Sequence, residues 1–238
     1  MHSCLLIQAG LLPYAQALGL LRGLAATRRA GEIGEALVLA SHPPVITLGR
    51  RGDAADLLLP KEQLISQGVE VARVERGGLV TAHGPGQLMV YPVMHLPSLG
   101  LGVAAMVHSL EQAGIGVCAE LGVAAERRTD HPGLWVGDQK IASIGLAVKR
   151  GVTLHGMALY NQPEPDLFRF INPCGLASDR ITSLAGELGQ PVDDAKLRLI
   201  MAQCLGDKLG LNYSPLSLDH ALKISRQYAA ANPQTATT

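Results

Sequence analysis

The sequence predicts an α+β fold, a mixed β-sheet with flanking helices. Three observations lead there. Strand-like segments outnumber helical ones. They come in adjacent runs, without the regular strand–helix alternation of a parallel α/β sheet. A few longer stretches repeat apolar residues every three or four positions, which supplies the helices.

Residues 11–30 read as an amphipathic helix. Leu11, Ala15, Leu18, Leu21, Leu24 and Ala25 recur at helical spacing, and Gly31 stops it. Strands follow at 36–40 and 45–48, separated by His42-Pro43-Pro44, because Pro-Pro does not sit inside a central strand. A short helix at 60–67 ends at Gly68, and 69–74 alternates as a strand does. Residues 88–96 are β-rich. Val103, Met106, Val107 and Leu110 make 102–113 helical, with Gly114 as its cap, and 115–121 reads as a further strand. Residues 140–148 and 152–159 form a hairpin turned by Lys149-Arg150-Gly151. A short helix begins near 181–184. Asp193-Asp194 then caps a last helix, with Leu197, Ile200, Met201, Cys204 and Leu205 on one face and Gly210 at its end.

No Pro/Ser-rich linker or charge run divides the chain, so residues 1–225 are expected to form one catalytic-sized domain. Residues 226–238, rich in Ala, Thr and Gln, are expected to be a frayed tail. With 47% hydrophobic residues among 238, a full core is available. Lys+Arg and Asp+Glu are 20 each, so nothing favours a nucleic-acid binder. The pairs Arg50-Arg51, Arg127-Arg128 and Lys149-Arg150 read as solvated surface or as partner contacts. The N-terminus lacks the charged and apolar regions of a leader, and no segment reaches the ~20 apolar residues of a membrane span. The expectation is a cytoplasmic monomer with no membrane or nucleic-acid partner. There Cys4, Cys118, Cys174 and Cys204 stay reduced. Neither cysteine nor histidine spacings match a metal motif, so no metal is expected.

Three segments carry chemistry. Residues 76–87, starting Arg76-Gly77-Gly78-Leu79-Val80-Thr81-Ala82-His83 and ending Gly84-Pro85-Gly86-Gln87, hold four glycines and a proline. Such a segment brings backbone close to a ligand, or is a glycine-rich turn with an exposed arginine. It has neither the GxxxxGK[ST] nor the GxGxxG spacing of a phosphate loop. His83 serves as a base, a hydrogen-bond donor or an ordering residue. Cys174 sits between Pro173 and Gly175, a turn that exposes sulfur and leaves N–H groups for an oxyanion; the alternative is an inert loop cysteine. Lys140 opens an apolar strand, as a desolvated amine with a lowered pKa or as a strand-end lysine reaching water.

The motifs at 76–88, Gly133-Leu134-Trp135-Val136, Lys140-Ile141-Ala142-Ser143-Ile144-Gly145, Thr153-Leu154-His155-Gly156-Met157-Ala158-Leu159 and Ile171-Asn172-Pro173-Cys174-Gly175 come in a telling order. So ordered, they resemble the octanoyl-(acyl-carrier-protein):protein N-octanoyltransferases. His42-Pro43-Pro44-Val45 through Gly49-Arg50 is similar too, and the likeness spans roughly residues 36–185. The resemblance implies a fold like the biotin/lipoate-protein ligase catalytic domain. It implies an acyltransferase of lipoate biosynthesis that needs no cofactor. Octanoyl-acyl carrier protein would be the donor. The acceptors would be apo lipoyl domains of 2-oxoacid dehydrogenases or the glycine cleavage H protein. Cys174 would carry the acyl thioester, and Lys140 would tune or shuttle its proton. Arg76, Gly77, Gly78, Leu79, Val80, Thr81, Ala82, His83, Ser143, Ile144, Gly145, Gly156, Met157 and Ala158 would line the acyl site. Two residues depart from the pattern. Ala82 stands where a tyrosine is common. Tyr160 stands where an asparagine usually follows Ala-Leu, and Asn161 comes one place late. An ATP-dependent lipoate-protein ligase, a silent acyl- or carrier-binding module and a cysteine hydrolase using His83 or His155 are the competing readings.

Overall fold

The computed structural model describes residues 1–129, 132–172 and 180–232. In chain order its strands are β1 (His2–Leu11), β2 (Glu35–Ser41), β3 (Val45–Leu48), β4 (Glu70–Arg73), β5 (Val80–His83) and β6 (Gln87–Val93). These are followed by β7 (Glu126–Arg127), β8 (Leu134–Val136), β9 (Gln139–Lys149), β10 (Val152–Tyr160) and β11 (Leu211–Pro215). The α-helices are α1 (Tyr14–Arg29), α2 (Lys61–Ser66), α3 (Val103–Glu120), α4 (Leu184–Leu188), α5 (Asp194–Leu209) and α6 (Leu218–Ala231). An eight-stranded sheet runs β11-β1-β2-β6-β10-β9-β8-β7, and a second runs β4-β3-β5. β1 pairs parallel with β2 and β11, while β6, β10, β9 and β8 pair antiparallel. The expected mixed sheet with flanking helices is therefore present.

The large sheet has a core on each face. β2 shows why its sequence is apolar throughout. Successive side chains of a strand point to opposite faces. Ala36, Val38 and Ala40 join the cluster under α1 with Leu20, Leu21 and Leu24. Leu37 and Leu39 join the cluster under α3 and α5, with Met106, Leu110, Val117, Leu197 and Met201. A strand covered on both sides reads as a continuous apolar run.

The differences from the sequence-based expectation are informative. Helix α3 does not stop at Gly114 but continues to Glu120, absorbing the strand expected at 115–121. Gly114 is a packing residue, since a Cβ there would overlap Leu134 Cδ1 and come within 3.3 Å of Met157 Sδ. Val117 and Cys118 then extend the helical stripe of Leu110 and Ala113 into the core. β1 was hidden because its outer face is half exposed. It belongs to the sheet through parallel partners more than 25 residues away or at the far end of the chain, a link no local pattern carries. Residues 226–231 continue α6, whose N-cap Ser217 accepts from the His220 N–H. Alanine-rich sequence is helix-prone even when it lacks a strong apolar stripe. The hairpin of β9 and β10 and the Asp193-capped, Gly210-ended α5 fall where expected.

Helix α6 reaches α1 at a glycine. A Cβ on Gly23 would overlap Ser225 Oγ and come within 2.8 Å of Ser225 Cα. Gly23→Val should therefore push the two helices apart and lower stability by about 1–3 kcal/mol, read as a fall in the urea midpoint. An unchanged midpoint would show that α6 does not depend on this close approach.

Candidate active site

A cavity of about 450 Å³ lies between the β5 segment and the β9–β10 hairpin, with Tyr14 of α1 and Phe168 at its edge. Of the fourteen residues expected to line an acyl site, thirteen line it: Arg76, Gly77, Gly78, Leu79, Val80, Thr81, His83, Ser143, Ile144, Gly145, Gly156, Met157 and Ala158. Lys140 lines it as well. Ala82 does not. It is fully buried in the core and paired with Ile46 on β3, so its small side chain bears on packing beneath the cavity. Cys174 lies outside the described residues.

The cavity wall is fixed by Arg76. Its Nε and Nη2 donate to Thr47 Oγ1 at 3.1 and 2.8 Å, Nη2 also donates to the Thr47 carbonyl, and Nη1 donates to the Gly77 carbonyl at 3.0 Å. Arg76 is 92% covered, not the exposed arginine that a glycine-rich turn would suggest. The glycines allow this approach. Gly78 has φ +87°, in the region that favours glycine. Gly145 on β9 lies under Arg76, where a Cβ would sit 3.1 Å from Arg76 Cδ and 3.2 Å from the Gly77 carbonyl. The Gly77 N–H donates to the Leu146 carbonyl at 2.9 Å, tying the loop to the sheet.

Two buried histidines back the wall. Thr47 Oγ1 accepts from Arg76, so its own proton points to His83 Nε2 at 3.4 Å. His83 Nδ1 then donates to Gln87 Oε1 at 3.3 Å. His83 is therefore neutral with both nitrogens engaged, and its pKa is lowered to about 3 by burial and by the Arg76 charge. Its two contacts order the wall. His42 Nδ1 faces the Leu12 carbonyl at 2.6 Å and must donate there. Its Nε2 accepts from Tyr91 Oη at 2.7 Å, and burial lowers its pKa to about 4. Tyr14 stacks on His83 and meets His42 edge-on.

Sequence reasoning did not assign Thr47, Tyr14, Tyr91, Phe168 or Ile181 to the site. They come from distant segments, and only the fold brings them in. His155, weighed before only as a hydrolase partner, also lines the cavity. It is buried with φ +61°, uncommon for a non-glycine residue, and its Nε2 is 3.5 Å from Glu75 Oε2. At that length the contact is an electrostatic pairing more than a hydrogen bond. Pairing with His155 and the two bonds from Arg22 hold the Glu75 carboxyl well below the usual range, against burial that pushes it up.

Lys140 stands at the other end of the cavity. Its Nζ is 5.2 Å from the centroid of the Trp135 ring, which also carries the Arg128 guanidinium at 4.7 Å. Gly133, at φ +128°, leaves room for it; a Cβ there would come 2.6 Å from Lys140 Cε. The Lys140 N–H donates to the Arg180 carbonyl at 2.8 Å, and the Thr182 N–H donates to the Lys140 carbonyl at 3.0 Å. On the other side of Cys174, the Asn172 N–H donates to the Asp56 carbonyl at 2.9 Å.

Comparison with known proteins gives the context of this arrangement. The family described as the lipoyl protein ligase A/B catalytic domain matches residues 13–206. An octanoyltransferase of Alkaliphilus metalliredigens is 42% identical over 188 residues, 79% of this chain and 86% of the relative. One of Geobacter metallireducens is 43% identical over 193 residues, 81% and 87%. The chain belongs to the octanoyltransferase family. Its fold is also that of lipoate-protein ligases. A lipoate-protein ligase A structure bound with ATP aligns with TM-score 0.76 at 15% identity, covering 99% of each chain. A bipartite ligase structure from Thermoplasma acidophilum aligns with TM-score 0.77 at 15% identity, covering 100% of this chain and 98% of the other. In this octanoyltransferase-family chain no helix among the described residues is long and apolar enough to cross a membrane.

The buried histidines give the family member a pH dependence with a definite sign. Both folded pKa values lie below the ordinary histidine value of 6.5. The unfolded chain therefore binds more protons between pH 6.5 and about 4, so stability is full above pH 6.5 and falls on acidification. Each such histidine contributes up to about 1.4 kcal/mol per pH unit. Urea midpoints should fall from pH 7 to pH 5 in the wild type, and by less in His83→Gln. An equal fall in both would remove His83 from the account.

Proposed function

We propose that the protein transfers an octanoyl group from an acyl carrier protein thioester to a lysine amine of an apo lipoyl domain, through an acyl thioester on Cys174. The observation that carries the reading is the cavity itself. It gathers Lys140 and thirteen of the acyl-site residues from three separate motifs into one space. The octanoyltransferase relatives give the acyl group its name.

In this reading Cys174 attacks the donor carbonyl. A free thiol is mostly protonated near neutral pH, and Lys140 takes up or electrostatically replaces that proton. Two described neighbours support the encounter. Asn172, two residues before Cys174, is tied to Asp56, and Arg180, six residues after it, is bonded to Lys140 itself. The carrier thiol leaves with a proton. The acceptor amine then attacks the acyl-enzyme, an amide forms and the thiol is regenerated. Thioester exchange is close to balanced and amide formation is downhill, so the reaction runs without ATP. The acyl chain gains about 0.8 kcal/mol per buried CH₂, against Ile144, Met157, Leu79 and Phe168. At the cavity rim, exposed Arg51 and its neighbour Arg50 supply positive charge for an acidic carrier surface.

Intact-mass measurement after mixing with octanoyl-carrier should show one octanoyl adduct on the wild type and none on Cys174→Ala. Lys140→Ala should keep its melting temperature near that of the wild type and lose most transfer. An adduct of normal yield on Cys174→Ala would overturn the assignment. A transfer reaction that requires ATP would instead place the protein among the ligases.

A further inference from the structure

We propose that Tyr160 is a positioning residue for acyl transfer: it holds the Ser143 hydroxyl so that its proton points at the acyl carbonyl oxygen. This inference rests on the octanoyl-transfer reading and assigns a role to a residue that departs from the family pattern.

The register of the hairpin places Tyr160 at the Lys140 end of the cavity. Ser143 lies opposite Ala158, and Leu159 opposite Ala142, so Tyr160 stands one step further, beside the start of β9 where Lys140 is. Along a strand, side chains at alternate positions share a face. Gly156, Ala158 and Tyr160 therefore present the same face as Ser143 and Gly145, and all five line the cavity. Ser143 and Tyr160 are diagonal cross-strand neighbours, within reach for a long side chain.

Their hydroxyls meet at 2.6 Å, the short end for an O–H···O bond. Either hydroxyl has the geometry to donate, and acidity favours one direction. A phenol, with a pKa near 10, is a far stronger acid than an aliphatic alcohol and is the better donor. In the proposal Tyr160 Oη is the donor and Ser143 Oγ the acceptor, one of the two directions the geometry allows. The serine proton is then directed away from Tyr160, and Ser143 is only partly buried, on the cavity wall. Tyr160 itself cannot swing aside. It is 1% exposed and packed edge-on against Phe168, with centroids 5.4 Å apart. A hydroxyl fixed in this way needs no reorganisation as negative charge develops on the carbonyl oxygen.

The neighbouring Asn161 has a different task. Asn161 clamps the Val192 backbone, donating to its carbonyl at 2.7 Å and accepting from its N–H at 2.9 Å. It is committed to anchoring the loop before α5 and lies outside the cavity lining. Of residues 160 and 161, the one that lines the cavity is the tyrosine.

The test is a double-mutant cycle with Tyr160→Phe, Ser143→Ala and the double variant. Each is assayed for octanoyl transfer from octanoyl-carrier to an apo lipoyl domain, alongside thermal melts. Tyr160→Phe keeps the ring against Phe168 and removes only the hydroxyl. Losing an oxyanion donor costs about 10²–10³ in kcat, and a donor left in place but misaligned costs less. We expect kcat to fall about 10-fold in Tyr160→Phe, with KM within about twofold and an unchanged melting temperature. Ser143→Ala should lose more, and Tyr160→Phe should cost nothing further in the Ser143→Ala background, because the two act as one unit. A Tyr160→Phe kcat within twofold of wild type, or an equal loss with and without Ser143, overturns the inference while octanoyl transfer by the wild type still stands. A wild type that transfers no octanoyl group overturns the proposed function itself.

Discussion

The buried guanidinium of Arg76 is the constraint on which the cavity depends. Its guanidinium donates to Thr47 on β3 and to the Gly77 carbonyl, and so fixes the glycine loop on the small sheet, while the Gly77 N–H ties that loop to Leu146 of the large one. An arginine can do this where a lysine cannot, because its planar fork offers several donors in fixed directions. The glycines around it follow from that choice. Gly145 is the floor beneath it, Gly77 bonds back to the sheet, and Gly49 packs so closely that a Cβ would come 2.8 Å from Arg76 Nη1. The charge has a second effect, for it helps keep His83 neutral and committed to the wall.

This arrangement gives the cavity two unlike ends. Five residue steps along β9, about 16 Å at 3.3 Å each, separate Lys140 from Gly145 under Arg76. At the Arg76 end the walls are rigid and their polar groups are engaged with one another. At the Lys140 end stand an amine over an indole ring, a pair of hydroxyls and the backbone bond from Lys140 to Arg180. Small residues, Gly145, Gly156 and Ala158, form the strip between them. A chain with one reactive end and one inert end suits such a space. In the loop, the Gly77 N–H donates to the Leu146 carbonyl of β9, and the carbonyls of Arg76, Gly78 and Leu79 accept from the N–H groups of Arg50, Arg51 and Gly49.

Much of the site was legible in the sequence because its motifs are local. A glycine pair beside an arginine, a lysine opening an apolar strand and a Pro-Cys-Gly turn can each be read within a dozen residues. The resemblance then set them in order. The parts that were not legible are those made by distant pairing. Thr47 is an ordinary strand residue until Arg76 reaches it, and Ala82 looks like a cavity residue until β3 covers it. In the fold, Gly114 misled because glycine marks both helix ends and close packing, and only Leu134 and Met157 across the interface decide between them. The end strands β1 and β11 depend on partners from opposite ends of the chain, and α6 on a contact with Gly23, so their segments carried weak local signals.

The central claim is that one end of this cavity holds the reacting acyl carbonyl and the other its tail. A crystal structure of the protein after reaction with octanoyl-carrier tests it most directly. The account predicts continuous density for an eight-carbon chain along Gly145, Gly156 and Ala158, with its carbonyl near Ser143 and Lys140. An acyl chain bound outside this cavity, or one lying in it with its carbonyl against Arg76, would contradict the account.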